Sequence, residues 1–141
     1  MTEKRDKDIT AENLNIVDKA GNVRIKLFVN AEGMPTVSFL DSEGKERLGM
    51  NISEDETPKI YLYDSEKKTR LVVNISKIPG IALCDSTGKV RLTTAIPENG
   101  EPQISFFDSE GKPRLLMGVF EDGDPFIGFL GPDGKVISAL P

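Results

Sequence analysis

The chain has 141 residues and a net charge of −5, with one cysteine, no histidine and no tryptophan. Without histidine there is no Ser-His or Cys-His nucleophile and the commonest transition-metal ligand is missing, while a lone Cys84 excludes an intramolecular disulfide. The acidic balance speaks against general affinity for nucleic acid, and no apolar run reaches the length of a signal-peptide core or a membrane span, so the cytoplasm or a phage particle is the expected location and no membrane is expected as a partner.

Residues 1–8 are almost all charged or polar and carry no periodic pattern, which predicts a charged N-terminal arm ahead of a single repeat domain over 9–141. From Ile9 onward an aspartate heading a turn recurs at Asp18, Asp41, Asp64, Asp85 and Asp108, and Gly131 stands at the sixth such position. The steps between them are 23, 23, 21, 23 and 23 residues. A fixed period of this size marks a tandem repeat. Each unit holds a short alternating segment before the turn, such as Gln103-Ile104-Ser105-Phe106-Phe107, and a longer one after it, such as Leu115-Leu116-Met117-Gly118-Val119. Alternation rich in β-branched and aromatic residues predicts strands, and no window sustains a helical period with caps. The predicted fold is all-β: six tandem hairpins, about twelve short antiparallel strands.

Side chains paired across an antiparallel ladder share a face of the sheet. A four-residue loop over Asp108–Gly111 therefore predicts Phe107 opposite Lys112, Ser105 opposite Arg114 and Ile104 opposite Leu115. The next loop, Glu121-Asp122-Gly123, has the length of a three-residue turn with a left-handed glycine, which aligns Val119 with Pro125 and Met117 with Ile127. The single 21-residue step loses two residues around Ser76-Lys77-Ile78-Pro79, an even deletion that leaves the faces unturned.

In chain order, the same parity puts Ile16, Ile25, Leu27, Val29, Val37, Phe39, Leu48, Met50, Ile52, Ile60, Leu62, Leu71, Val73, Ile75, Ile81, Leu83, Leu92, Ile96, Ile104, Phe106, Leu115, Met117, Val119, Ile127 and Phe129 on one face. At roughly 1.5–3 kcal/mol per fully buried large side chain, such a surface is expected to be covered. Rolling or packing into a barrel, prism or solenoid-like structure, a β-trefoil, or an intertwined trimer would each cover it, although a trefoil calls for a period near 46.

On the opposite face the position before each turn holds Val17, Leu40, Tyr63, Cys84, Phe107 and Leu130, set by the four-residue loop against Asn22, Lys45, Lys68, Lys89, Lys112 and Lys135. The next outward pairs carry Arg24, Arg47, Arg70, Arg91 and Arg114. These columns solubilise an exposed face, or bind an anionic glycan or other repetitive polymer with Tyr61 and Tyr63 beside them, or border an oligomer interface to which Phe28, Val72, Leu116 and Phe120 add apolar area. The acidic turns lack the spacing of known calcium loops and read as turn chemistry. No carboxylate pair is singled out for hydrolysis, Cys84 reads as a small hydrophobe, and no cofactor, metal or catalytic residue is expected.

The units built on Asp-Ser-Glu-Gly-Lys-Pro-Arg-Leu and Glu-Asp-Gly-Asp-Pro resemble the short tandem hairpin repeats of uncharacterised bacterial and phage proteins, over about residues 9–141. Tyr61-Leu62-Tyr63-Asp64 is also similar to the aromatic-Xaa-aromatic-Asp turn of YD repeats. The first resemblance implies no biochemical activity. The expected function is that of a non-enzymatic structural or interaction module, homo-oligomeric and trimeric in one arrangement, with binding of an anionic polymer as the alternative.

Overall fold

The computed structural model describes residues 9–140; the predicted arm over 1–8 lies outside them. Twelve strands form one antiparallel sheet in simple sequence order: β1 (Asn13–Val17), β2 (Val23–Val29), β3 (Pro35–Leu40), β4 (Glu46–Ile52), β5 (Pro58–Tyr63), β6 (Thr69–Asn74), β7 (Gly80–Cys84), β8 (Val90–Ala95), β9 (Gln103–Phe107), β10 (Pro113–Val119), β11 (Pro125–Leu130) and β12 (Val136–Leu140). Every strand pairs only with its neighbours in sequence, so the sheet stays open, and among the described residues nothing pairs with the outer edges of β1 and β12. The expected closure into a barrel is therefore not made by the chain alone.

The turns at the aspartate end correct the predicted loop. Asp41 N–H donates to the Lys45 carbonyl and Gly44 N–H to the Asp41 carbonyl, and the same pair of bonds recurs at Asp18, Asp85, Asp108 and Gly131. The connection is a three-residue loop ending in a left-handed residue, not a loop of four. Gly44 takes φ of 78°, and in the third unit Lys67 takes 62° in its place. A loop of three by itself would turn over the faces of the returning strand. A bulge restores them: Leu40 pairs with Glu46 but Phe39 with Leu48, so Arg47 is the extra residue, and Phe107 pairs with Pro113 while Phe106 pairs with Leu115. The predicted partners shift accordingly. Leu40 faces Glu46 rather than Lys45, Ser105 faces Leu116 rather than Arg114, and Ile104 faces Met117 rather than Leu115.

The other turns follow expectation. Val119 pairs with Pro125 and Met117 with Ile127 across a loop in which Gly123 has φ of 91°. Across the shortened step Leu71 still pairs with Leu83 and Val73 with Ile81, as Leu48 pairs with Leu62 and Met50 with Ile60 in the full-length unit. Two whole residues were lost and no side chain changed sides.

Candidate interaction surface

The register lines the predicted apolar residues into two rows that cross the whole sheet. One runs Ile16, Ile25, Phe39, Leu48, Leu62, Leu71, Leu83, Leu92, Phe106, Leu115 and Phe129, ending at Ser138; the other runs Leu14, Leu27, Val37, Met50, Ile60, Val73, Ile81, Thr94, Ile104, Met117, Ile127 and Leu140. Leu14, Thr94, Ser138 and Leu140 complete the rows and were missing from the predicted face. Superposing the units position by position would have found them.

This face has no second layer. Among the described residues no hydrophobic side chain is buried, and Leu62, Leu83 and Ile75 stand 38%, 41% and 60% exposed in the middle of the sheet. The total accessible surface is 10225 Å², against about 7,200 Å² for a compact monomer of this mass. The excess of roughly 3,000 Å² is what a chain with a sheet bare on both faces exposes over a compact one. Three adjoining hollows run along the face at the end of the strands opposite the aspartate turns. The largest, of about 700 Å³, is lined by Val73, Ile75, Ile81, Ile96, Met117 and Val119; the next, of about 370 Å³, shares Val73 and Ile75 and adds Met50, Ile52 and Ile60; a third, of about 360 Å³, lies over Leu14, Leu27 and Val29. The trough they form is apolar along its length.

The predicted basic columns are engaged within the protein. Each arginine at the bulge pairs with the aspartate of its own turn: Arg24 with Asp18 at 2.6 Å, Arg47 with Asp41 at 3.4 Å, Arg70 with Asp64 at 3.6 Å, Arg91 with Asp85 at 3.4 Å and Arg114 with Asp108 at 2.8 Å. Three of them also donate Nε–H to the carbonyl just before the next aspartate: Arg47 to Tyr63 at 3.2 Å, Arg70 to Cys84 at 3.0 Å and Arg91 to Phe107 at 2.9 Å. Arg24 Nη1 reaches the Asp41 carbonyl. The arginine thus ties one hairpin to the following one. Lys45, Lys68 and Lys112 pair with Glu43, Glu66 and Glu110 inside their own turns, and Lys89 donates to the Ser109 carbonyl. Each of these cations thus has an acidic or carbonyl partner within the chain.

Each arginine bond to the next hairpin should be worth about 0.5–1 kcal/mol, because these side chains are 41–43% exposed and partly screened. Changing Arg47, Arg70 or Arg91 singly to alanine is expected to lower the unfolding free energy by that much, read as a lower urea midpoint at unchanged slope. No change in the midpoint would show that the bonds contribute nothing.

The aspartates are held ionised by the turns they head. Oδ1 of Asp41, Asp64 and Asp108 accepts the N–H groups two and four residues on, and the arginine approaches Oδ2. The Asn22 N–H draws Asp18 down to about 2, against some desolvation, with Arg24 assisting; the Thr87 hydroxyl does the same for Asp85, also to about 2. Both folded values lie below the ordinary 3.8, so the unfolded chain binds more protons between about 4 and 2. Stability is then full above about pH 4 and is lost as the pH falls through about 2. The thermal midpoint is expected to drop across that window, and an Asp18→Asn, Asp85→Asn variant to drop less steeply. Identical profiles would contradict this assignment.

Tyr61 and Tyr63 lie on the opposite face with rings 6.1 Å apart and 12° from parallel. Tyr61 pairs with Gly49 and Val72, and burial beside Glu46 and Tyr61 raises the Tyr63 phenol. Burial likewise raises the Cys84 thiol, which keeps it protonated and unreactive at neutral pH. Sequence reasoning missed Glu46, which accepts the Ser38 hydroxyl at 2.7 Å and lies against the bare Cα of Gly49.

Among the described residues no group of three or more potential ligands could hold a metal ion, and no helix is long and apolar enough to cross a membrane. No family model and no curated protein matches the chain. Among solved structures it is similar to a chain of S. aureus TarM, a mutant in complex with fondaparinux, α-GlcNAc-glycerol and UDP, at 12% identity and a TM-score of 0.27. The match covers 89% of this chain and 21% of that one, and at this score it carries no functional weight.

Proposed function

We propose that the chain is a non-enzymatic structural module that works through its apolar face, which packs against the same face of a second copy. The observation that carries this reading is the sheet's single layer: two rows of apolar side chains cross all twelve strands and nothing among the described residues covers them. A sheet this wide spans about 50 Å between its outer strands and twists by roughly 20° per strand pair. A second copy twists by the same amount along the same length, so two such sheets stay aligned face to face and interleave side chains across about 10 Å. An ordinary globular partner would meet only part of the face.

Sedimentation velocity and light scattering on the whole chain test the reading. A mass at least twice 15.5 kDa, persisting on dilution to micromolar concentration, is expected. A folded monomer at all concentrations would overturn it.

A further inference from the structure

The two free edges of the sheet carry a second contact, distinct from the apolar face. Edge strands in monomeric proteins are guarded by charges, proline, bulges or a covering segment. Here β1 reads Asn-Leu-Asn-Ile-Val and β12 reads Val-Ile-Ser-Ala-Leu, with no charged residue in either. The sixth unit differs from the other five: the place of Arg24, Arg47, Arg70, Arg91 and Arg114 is taken by Ile137, which is 72% exposed. In the first four units this is the residue that bonds the next hairpin.

The backbone at both edges is set for continuation. Asp18 N–H and Gly131 N–H bond inward to their own hairpins, at Asn22 and Lys135. By strand alternation the peptide groups of Asn15 and Val17 on β1, and of Ala139 beyond the bulge at Ile137 on β12, point away from the sheet. Laying β1 of another copy beside β12 in the register that joins β4 to β5 puts Ala139 opposite Asn15, as Gly49 is opposite Tyr61, and Ser138 opposite Ile16, as Leu48 is opposite Leu62. Leu140 then meets Leu14, as Met50 meets Ile60, and both apolar rows run on unbroken into the next copy. Ile137 comes beside Val17, itself 52% exposed, so an apolar contact stands where an arginine meets a carbonyl at the inner junctions.

We infer that copies of this chain join head to tail, β12 of one pairing antiparallel with β1 of the next in this register, to make a continuous sheet. The contact is heterologous, so repetition gives a ring where the curvature closes and a filament where it does not.

Cysteine trapping tests the register in the full chain, with Cys84→Ser removing the native thiol. Ser138 and Ile16 would form a non-hydrogen-bonded pair with Cα atoms about 4.5 Å apart, within disulfide reach. A Ser138→Cys, Ile16→Cys variant is expected to oxidise into a ladder of covalent multimers on a non-reducing gel, whereas Leu140→Cys with Ile16→Cys, two residues out of register, is not. Adding Ala139→Pro removes an outward N–H that the protomer does not use for its own hairpin, and should abolish the ladder while the circular dichroism of the sheet is kept. Absence of a ladder in the first variant, or equal ladders in both registers, would overturn the inference. Because these changes leave the middle of the apolar face intact, a failure here is distinguishable from a failure of face-to-face packing, which sedimentation of the Ala139→Pro chain reads directly.

Discussion

Replacing Leu71 by lysine is expected to break the assembly, whereas replacing its neighbour Val72 by lysine is expected to leave it intact. The two residues are adjacent in β6 but point to opposite faces: Leu71 lies between Leu62 and Leu83 in the middle of an apolar row, and Val72 between Tyr61 and Ala82 on the other side. An unpaired ammonium held in an apolar interface costs on the order of 3 kcal/mol or more, which weakens association at least about 100-fold. The single sheet has no buried hydrophobic residue among those described, so dissociation should take the fold with it. The Leu71→Lys chain should sediment as a monomer with reduced β signal and a concentration-independent, lowered melting midpoint. At Val72 the charge can reach water, and mass and midpoint should change little. Equal effects at the two positions would place the interface elsewhere.

A second pair of substitutions separates two glycines that look alike in the sequence. Gly118 in β10 and Gly128 in β11 both lie within strands, and neither has positive φ. A Cβ at Gly118 would stand 2.7 Å from the Pro102 carbonyl oxygen and 2.7 Å from the ring of Phe126, which stacks on Phe120 with centroids 4.5 Å apart. A Cβ at Gly128 meets nothing within 4 Å. Gly118→Val should cost about 2–3 kcal/mol, because backbone or a stacked ring must move. Gly128→Val should be neutral or raise stability by a few tenths to about 1 kcal/mol, since a β-branched residue suits a strand better than glycine. Thermal unfolding reads both; a reversed order would mean that the ring of Phe126 does not lie over β10.

Much of this architecture is legible in the residues. The alternation within each unit places Leu62, Leu71 and Leu83 on one face without knowledge of which pairs with which, because parity survives any register error of two. That is why parity places these residues on the apolar face while the partner it implies for Ile104, Leu115, differs from the observed Met117. The missing piece was the bulge. An extra residue at Arg47 or Arg114 leaves no mark in a pattern of polar and apolar letters, since arginine is as acceptable in a regular strand as in a bulge. Its consequence for the candidate site was large. In a regular ladder the arginines would project as a free basic column, and in the bulge they fold back onto the turn aspartate and the neighbouring carbonyl.

The sequence by itself determined the all-β class, the six units, the three-residue turn at Gly123 and most of the apolar face, all of which follow from local periodicity and from the φ that Gly123 permits. Only the tertiary structure decided that the strands run in strict order to two edges left unpaired among the described residues and form a single layer, and that the basic columns are already paired. Those properties depend on how units meet, and a repeat whose every junction is the same carries no local signal for where the array stops or what covers it.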